Sequence, residues 1–504
     1  KKKKKEKKEH KKGKKKHKKS KKRAKDEAAR DDDNKTPSIT DEPTKKKIKS
    51  AKKDNISQQQ QKQNQQQQQQ QPQQKQQDHG DRMLPPVTYP VPGDKKIVQT
   101  SALDYAEPTE DTSDHNVTLL LFYQYVEPPW DGEFYQKVLS KMQHLGDSLK
   151  LTGRMRVAKE GLNCTLTSSH EGILAFCKAL REFNVGEFKD TEFKLTADLP
   201  QQQAFPSLKV MPVAELVHYG LDGEKAPPIQ YTGVHLQPED YHEKLAQEDT
   251  VVIDVRNHYE AAIGRFAAPN SKWLDPKMRK STEFPVWLDK EETKQELKGK
   301  NVLMYCTGGV RCERASALLK YKMETDPEIK DLGIQGVYQL QGGIDKYFKQ
   351  FPDGGYWEGK NYTFDKRFAH APAEKDAAPK EEKQKNIMGK CEACKKPWDM
   401  YRGKRRCPTC GVPSLICREC FQADKDGIRK LDRNVRCDLC VEENITSKAQ
   451  VRQRDEQELR EYEAKMAARG VTIEREPKGK QPRWHPPAPN ADGITRLLLK
   501  NMCR

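Results

Sequence analysis

The stretch Tyr305-Cys306-Thr307-Gly308-Gly309-Val310-Arg311-Cys312-Glu-Arg-Ala-Ser316 follows an apolar run, Asn301-Val-Leu-Met-Tyr305. The run is typical of a central strand in a parallel sheet, and apolar residues spaced by three or four after Cys312 predict a helix. Cys306 therefore comes at the carboxyl end of a strand, where open α/β sheets bind their ligands. The glycine pair lets residues 307–311 curl so that backbone N–H groups face the sulfur.

Cys306 is the candidate nucleophile. Inward-facing N–H groups and a following helix N-terminus lower the pKa of a thiol and favour a thiolate or persulfide anion. Arg311 adds a positive charge within or beside the loop. Cysteine phosphatases use a related loop with the pattern Cys-x5-Arg. Here only four residues separate Cys306 from Arg311, so the spacing disfavours phosphate ester hydrolysis.

Three nearby residues are possible support for this loop. Cys312 would be either a resolving thiol for Cys306 or a small packing residue. Asp254 and Arg256 follow another apolar run and are expected beside the loop, where they would either assist the chemistry or form a structural salt bridge.

The loop and its surroundings resemble the rhodanese family. Asp254-Val-Arg256-Asn257 with Glu260 and Gly264-Arg-Phe266 is similar to the first signature of the family, and Leu340-Gln-Gly342-Gly343-Ile344 to the second. The resemblance covers residues 236–351 and implies that Cys306 carries a persulfide sulfur. Alternating strands and helices over residues 205–355 independently predict an α/β domain with a parallel sheet.

Residues 116–204 are predicted to form a separate α+β domain. Val117–Tyr125 has the composition of a buried strand. Helices begin after Asp131 and Ser169, and shorter strands occupy Met155–Ala158, Cys164–Thr167 and Thr191–Thr196. The order β-α-β-β-α-β is that of a ferredoxin-like fold. Two cysteines in this region, Cys164 and Cys177, fit the apolar pattern and are expected to be packing residues.

A more extensive resemblance joins these two domains. Gly153-Arg-Met-Arg-Val-Ala-Lys-Glu-Gly-Leu-Asn163, placed before a loop of the Cys306 type, is similar to the tRNA uridine(34) hydroxylase family. The cysteine-rich part after them also suits the eukaryotic rhodanese-like domain-containing protein 2 group. The resemblance covers residues 117–440. It implies tRNA as partner and oxygen-dependent 5-hydroxylation of the wobble uridine, dependent on Cys306.

Eight of the thirteen cysteines form four C-x2-C pairs within residues 391–440. Four chelating pairs without a histidine between them fit two structural zinc ions, each bound by four sulfurs. Either successive pairs share an ion, or the first pair joins the third and the second joins the fourth. The ligands, within a module predicted at 389–445, are Cys391, Cys394, Cys407, Cys410, Cys417, Cys420, Cys437 and Cys440.

The remaining segments are predicted to be simpler. Residues 1–30 hold 17 Lys and 2 Arg against 4 acids, so most of the net charge of +19 belongs to this end. Residues 1–115, with the glutamine tract 58–77, are expected to be a disordered arm. Residues 356–388 are interpreted as a linker. Residues 446–504 are interpreted as a charged helix, begun by a capping box of Ser447 and Gln450 and followed by a tail.

Several function classes are disfavoured by the sequence. No apolar run is long enough to span a membrane, and no short apolar stretch follows the basic start, so no secretory signal is expected. Action in the cytoplasm is expected, or in the nucleus if the lysine block is a targeting signal. No flavin or nucleotide cofactor pattern is evident.

Three functions stay open at this point. The first is a tRNA-modifying enzyme. The second is a sulfurtransferase that moves sulfane sulfur from a donor to a protein thiol or another acceptor. The third is a non-catalytic adaptor built on zinc and rhodanese domains. Intact Cys306 and both loop glycines argue against the third.

Overall fold

The computed structural model describes residues 116–221, 226–365, 367–401, 405–428 and 435–468. All of them lie in one compact unit, Lys95–Arg504, and none lies in the other, Lys1–Asp94. The predictions for the N-terminal arm and for the tail after residue 468 fall outside the described residues. Among the described helices, none combines the length and the apolar character that a membrane span requires.

The first domain has a ferredoxin-like fold, as the sequence predicted. Its five-stranded sheet has the order β4-β1-β3-β2-β5. One face of the sheet is packed against α1 and α2 through buried residues such as Phe122, Met155 and Phe176. The elements are β1 (Asn116–Tyr125), α1 (Gly132–Ser148), β2 (Thr152–Ala158), β3 (Gly161–Ser168), α2 (His170–Phe183), α3 (Val185–Phe188), β4 (Lys194–Pro200) and β5 (Leu208–Pro212).

Local signals explain where these helices begin. Asp131 accepts a hydrogen bond from the backbone N–H of Phe134 at 2.8 Å, and Ser169 accepts one from Gly172 at 3.2 Å. Both residues are the N-caps that the sequence indicated. Cys164 and Cys177 are buried in the core between sheet and helices, which confirms that they are packing residues.

The last strand of the first sheet is a difference from the sequence prediction. The strand β5 pairs in parallel with β2, from Gly153 opposite Leu208 to Val157 opposite Pro212. The expected domain boundary after residue 204 therefore lies before the last strand of the sheet. The strand has only five residues, and its one parallel neighbour is far away in the chain, so no hairpin signal marks it.

The second domain is a rhodanese fold with a parallel sheet of order β6-β11-β10-β7-β9. The central strands β7 and β10 are buried along their whole length, as their apolar runs predicted. The elements are β6 (Val234–Leu236), α4 (Pro238–Leu245), β7 (Thr250–Asp254), α5 (His258–Ala261), β8 (Gly264–Phe266), β9 (Lys272–Leu274), α6 (Phe284–Leu288), α7 (Glu291–Leu297), β10 (Asn301–Tyr305), α8 (Val310–Thr325), α9 (Pro327–Lys330), β11 (Gly336–Leu340) and α10 (Gly343–Gln350).

The interpretation of residues 356–388 as a linker is wrong for its first part. The strand β12 (Trp357–Gly359) pairs with β8, and Trp357 is fully buried against Phe266, with ring centroids 5.1 Å apart. The strands β13 (Asn361–Tyr362) and β14 (Ala369–His370) form a hairpin. Strands this short carry no readable periodicity, whereas the helices α11 (Ala373–Ala377) and α12 (Lys380–Lys385) follow the Lys- and Ala-rich composition.

The cysteine-rich module and a last helix complete the described chain. The module contains α13 (Arg418–Lys425) and α14 (Asp438–Glu442), and α15 spans Lys448–Ala468. Ser447 accepts a hydrogen bond from the N–H of Gln450 at 3.2 Å, and the Gln450 side chain accepts one from the N–H of Ser447 at 3.1 Å. This reciprocal pair is the predicted capping box.

Candidate active site around Cys306

The loop after β10 is built around Cys306. The backbone reverses at Gly309, whose φ of +102° is accessible to glycine and strained for other residues. The helix α8 begins directly afterwards at Val310. The loop thus lies between the buried end of a central strand and a helix N-terminus, as the sequence predicted.

Several groups act on the Cys306 sulfur. The N–H of Gly309 donates to Sγ at 3.1 Å. Burial raises the pKa of Cys306, but a hydrogen bond from the Cys312 thiol, the charge of Arg311 and the N–H groups of Arg311 and Gly309 outweigh it and lower the pKa to about 5. The expected inward-facing amides are therefore present, and the sulfur is held as a thiolate at neutral pH.

Cys312 lies beside this thiolate in the first turn of α8 and is fully buried. Burial and the neighbouring Cys306 raise the pKa of Cys312 well above its ordinary value. Cys312 therefore stays a neutral thiol and acts as a hydrogen-bond donor to Cys306. This arrangement goes beyond simple packing.

Arg311 is held in place by Glu260, a residue to which the sequence analysis gave no separate role. The two guanidinium nitrogens of Arg311 donate to the two carboxylate oxygens of Glu260 at 2.6 and 2.9 Å, and one also donates to Thr307 Oγ1 at 3.2 Å. Both side chains of this ion pair are buried. A bidentate contact of this kind fixes the guanidinium plane as well as its position.

Asp254 and Arg256 form their own buried ion pair. Arg256 donates to the two oxygens of Asp254 at 2.8 and 2.6 Å and to the carbonyl of Gly264 at 2.7 Å. Asp254 also accepts from the Tyr305 hydroxyl at 2.7 Å. These contacts fix Tyr305, the last residue of the strand before Cys306. They favour the interpretation of Asp254 and Arg256 as a structural salt bridge.

The glycine pair Gly342-Gly343 lies at the start of α10, and this helix N-terminus binds carbonyl oxygens of the Cys306 loop. The N–H groups of Ile344 and Asp345, in the first turn of α10, donate to the carbonyls of Cys306 and Thr307 at 3.1 and 3.2 Å. Gly343 has φ +69°, and a Cβ there would lie 2.7 Å from both carbonyl oxygens. The helix can approach the loop only because this position is glycine.

The first domain covers the Cys306 loop. A Cβ at Gly308 would lie 3.2 Å from Leu121, and a Cβ at Gly309 would lie 2.7 Å from the Tyr123 hydroxyl. Lys194 donates to the carbonyl of Gly308 at 2.7 Å. Cys306 is consequently 0% exposed in this structure. Its amides face inward as expected, but a substrate reaches the sulfur only after the covering side chains move.

Two of the sequence motifs meet at this interface. Glu160, from the motif of residues 153–163, forms a buried ion pair with Arg314 of α8. Glu160 also accepts from the N–H of Leu216 at 2.6 Å, and Arg314 also donates to the carbonyl of Pro227. The two motifs that are separated by about 150 residues in the chain therefore form one structural unit with the Cys306 loop.

A second polar network connects the domains beside the loop. Tyr123 donates to Glu313 Oε1 at 2.8 Å, and His235 lies 2.7 Å from the same oxygen. Burial raises the pKa of Glu313, but His235 and hydrogen bonds from Thr232 and Gln339 outweigh it and lower the pKa to about 2. Glu313 is therefore an anion that fixes Tyr123 above the loop.

The cysteine module resolves the question of pairing. The thiol sulfurs of Cys391, Cys394, Cys417 and Cys420 lie within 4.8 Å of one another, and so do those of Cys407, Cys410, Cys437 and Cys440. The first pair thus joins the third and the second joins the fourth, which is the interleaved alternative. Three sulfur–sulfur distances are 3.7, 3.6 and 4.0 Å. Four thiolates around zinc lie about 3.8 Å apart, given Zn–S bonds of about 2.3 Å, so both clusters could hold such an ion.

The second cysteine cluster is packed against the rhodanese domain near Glu260. Tyr401 donates to the carbonyl of Tyr259 at 2.6 Å, and Arg279 donates to Glu443 at 2.8 Å and to Cys440 Sγ at 3.6 Å. Tyr259 precedes the residue that anchors Arg311. The module therefore packs against α5, the helix that carries Glu260, the ion-pair partner of Arg311.

Three regions match known protein families. Residues 117–216 match the UPF0176 acylphosphatase-like domain, residues 237–350 the rhodanese-like domain, and residues 358–442 the rhodanese C-terminal domain. The first match includes β5 and ends close to the point where the first sheet ends.

Curated relatives align with half or more of this chain. Rhodanese-like domain-containing protein 6 of Arabidopsis thaliana is 33% identical over 326 residues, which is 62% of this chain and about half (51%) of that protein. The tRNA uridine(34) hydroxylase of Lactococcus lactis subsp. cremoris is 35% identical over 324 residues, 63% of this chain and 87% of that protein. The enzyme of the same name from Enterococcus faecalis is 38% identical over 255 residues, 50% of this chain and 72% of that protein. The chain is a rhodanese-type enzyme and belongs to the tRNA uridine(34) hydroxylase family.

Proposed function

We propose that this protein hydroxylates C5 of the wobble uridine in tRNA and that Cys306 is its catalytic nucleophile. The observation that carries the proposal is that the helix following the Cys306 loop is joined to the motif of residues 153–163 by the buried Arg314–Glu160 ion pair. The neighbouring groups in the same loop lower the pKa of Cys306 to about 5. A rhodanese domain alone would need only the loop. The names of the bacterial relatives supply the substrate and the reaction.

The chemistry of uracil gives the thiolate a role. Addition of the Cys306 thiolate to C6 would make C5 nucleophilic, so that C5 can bond to an oxygen atom derived from O2. Loss of the C5 proton and release of the thiolate would then restore the ring as 5-hydroxyuracil. Before this elimination the O–O bond breaks and the second oxygen atom leaves as water. The two electrons and two protons come from a thiol reductant, which is oxidised to a disulfide. The low pKa of Cys306 helps twice, because a thiolate is both the attacking form and a good leaving group.

The wobble base suits this site because it lies in a single-stranded loop. Such bases can be turned away from their neighbours and inserted into a pocket. Leu121 and Tyr123 cover Gly308 and Gly309 in this structure, so entry of the base requires these side chains to move. We infer that the outer face of the first sheet forms one wall of the path to Cys306.

We also propose that the two cysteine clusters bind one zinc ion each. Sulfur ligands that occupy all four positions leave none open for substrate, so these ions would be structural. A module of this size has a small apolar core, and metal binding would supply a large part of its folding free energy. The interleaved arrangement would tie both halves of the module together and keep Tyr401 against Tyr259.

A second function is favoured by the same loop. Peptide N–H groups and a fixed guanidinium stabilise a persulfide anion as well as a thiolate, so Cys306 could accept sulfur from a donor and pass it to a thiol. Mass spectrometry of the intact protein after treatment with thiosulfate tests this alternative. A persulfide on Cys306 supports sulfur transfer, and its absence contradicts it.

The hydroxylation proposal is tested with purified protein, unmodified tRNA and isotopically labelled O2 in the presence of a thiol reductant. The expected product is one 5-hydroxyuridine per tRNA that carries the label. The Cys306→Ser variant should give none, whereas Cys177→Ser, which changes a buried cysteine of the first domain, should give the wild-type amount. Unlabelled product, or equal product from Cys306→Ser, would contradict the mechanism.

A further inference from the structure

Two arginines stand side by side on the outer face of the first sheet. Arg154 and Arg156 alternate along β2 with Met155 and Val157, which point into the core. The sheet register places Arg154 opposite Thr165 of β3. Neither arginine forms an ion pair with a carboxylate in the parts of the chain that the structure describes. Burial and the positive charge of Arg154 lower the pKa of Arg156. Two like charges side by side on a sheet favour an anion between them.

An exposed aromatic ring lies next to these arginines. Phe364 follows β13 at the turn of the hairpin and is 44% exposed. Arg154 donates to the backbone carbonyl of Phe364 and lies over the ring of Phe205, with the guanidinium carbon 5.6 Å from the ring centroid. An exposed aromatic ring beside a cationic side chain is the combination on which proteins stack the bases of single-stranded nucleic acids.

The same ring lies beside the Cys306 loop. The guanidinium carbon of Arg311 is 5.7 Å from the ring centroid of Phe364. Tyr362 supports the ring at a centroid distance of 5.1 Å, and its carbonyl accepts from Thr307 Oγ1 at 3.3 Å. The hairpin is thus fixed to the residue that follows Cys306, and the exposed ring stands at the margin of the site.

We propose that Phe364, Arg154 and Arg156 form a binding subsite for single-stranded RNA next to Cys306. The ring stacks on a base that neighbours the reacting uridine, and the two guanidinium groups bind the adjoining backbone phosphates. The inference rests on the proposed function, since it takes the anticodon loop as the occupant. A base and its phosphate combine the flat apolar face and the negative charge that this surface matches. An acidic peptide would use the arginines and leave the ring without a partner.

The test measures binding of a fluorescent anticodon stem-loop RNA at several salt concentrations. Phe364→Leu should weaken binding about tenfold, a typical effect for one stacked base, and should leave the salt dependence unchanged. Arg156→Gln should weaken binding and lower the slope of log affinity against log salt by about 0.7, the value for one phosphate contact on a single strand. Phe364→Trp keeps an aromatic ring and should bind the RNA with the wild-type affinity.

Two matched controls lie elsewhere on the protein. Tyr321→Leu removes another exposed aromatic ring (37% exposed), and Arg460→Gln removes an exposed arginine of α15. Neither should change the affinity or the salt slope. The titration of Cys306 in Phe364→Leu should match that of the wild type, which shows that the loop is intact.

The outcomes separate this inference from the proposed function. If the wild-type protein produces no hydroxyuridine but the RNA affinities follow the pattern above, the hydroxylation proposal fails and the subsite stands. If hydroxylation occurs and Phe364→Leu and Arg156→Gln bind RNA with wild-type affinity and salt slope, the subsite is wrong. The subsite is also wrong if a polyglutamate peptide displaces the RNA from the wild-type protein and Phe364→Leu leaves the RNA affinity unchanged.

Discussion

Replacing Cys312 by alanine tests the electrostatics of the site in isolation. The Cys312 thiol donates a hydrogen bond to the Cys306 thiolate, and among the groups that lower the pKa of Cys306 its effect is the largest. Hydrogen bonds to charged groups contribute about 1.5–3 kcal/mol, and a thiol is a weak donor. A loss near the lower limit, about 1.4 kcal/mol, corresponds to one pKa unit. We therefore expect the pKa of Cys306 to rise from about 5 to about 6.

The assay is the ultraviolet absorbance of the thiolate as a function of pH, taken as the difference between each protein and its Cys306→Ser derivative so that other thiols cancel. The rate of a thiolate-dependent reaction of Cys306 should fall about threefold near pH 5.5 in Cys312→Ala, because the thiolate fraction falls by that factor. Near pH 8 the rate should barely change. Cys312→Ser keeps a donor and should show a smaller rise. The control is Cys177→Ala, which removes a buried thiol in the core of the first domain. An unchanged midpoint in Cys312→Ala, or an equal rise in the control, would refute the reasoning.

Three further results are expected. Glu160→Ala should lower the free energy of unfolding in urea by about 3 kcal/mol, because Arg314 stays buried without its partner; Glu160→Gln should cost clearly less, since burial raises the pKa of Glu160 and an amide keeps the acceptor for Leu216, and equal losses would contradict this. Burial lowers the pKa of His235, but Glu313 outweighs it and raises the pKa. The His235–Glu313 ion pair should therefore add its full contribution to the free energy of unfolding below about pH 6.5 and lose it as the pH rises through the higher pKa of the folded protein. A difference in unfolding free energy between the wild type and His235→Gln that is constant with pH would be evidence against the ion pair. A chelator that strips the cysteine module should lower Tm and raise the pKa of Cys306, through loss of the support near Glu260; a titration that stays the same after complete metal release would disprove this coupling.

The sequence predicted the parts of the fold that have strong local signals. The buried runs Thr250–Asp254 and Asn301–Tyr305 became neighbouring parallel strands, in the register that places Asp254 beside Tyr305. Cap residues predicted the helix starts in the first domain. Elements without such signals were missed. The strand β5 and the paired strand β12 depend on distant partners, and nothing in their own few residues indicates a partner.

The sequence indicated the Cys306 loop and three residues near it, Cys312, Asp254 and Arg256, but not the residues that anchor the loop, and the role of Cys306 as nucleophile stays a prediction. Glu260 is one carboxylate among many in the sequence, and its role depends on the position of Arg311 in space. Lys194 and Tyr123 come from a different domain, and only the docking of that domain brings them to the loop. The sequence indicated a connection between residues 153–163 and the Cys306 loop only because the two motifs occur together in one family. Contacts between domains have no periodicity in a sequence, and a structure is needed to find them.

The most direct measurement compares tRNA nucleosides from cells that lack this protein and are complemented with either the wild type or a Cys306→Ser variant expressed at the same level. The account predicts 5-hydroxyuridine at the wobble position with the wild type and its complete loss with Cys306→Ser. Restoration of the modified nucleoside by Cys306→Ser would show that the sulfur of Cys306 has no part in the reaction.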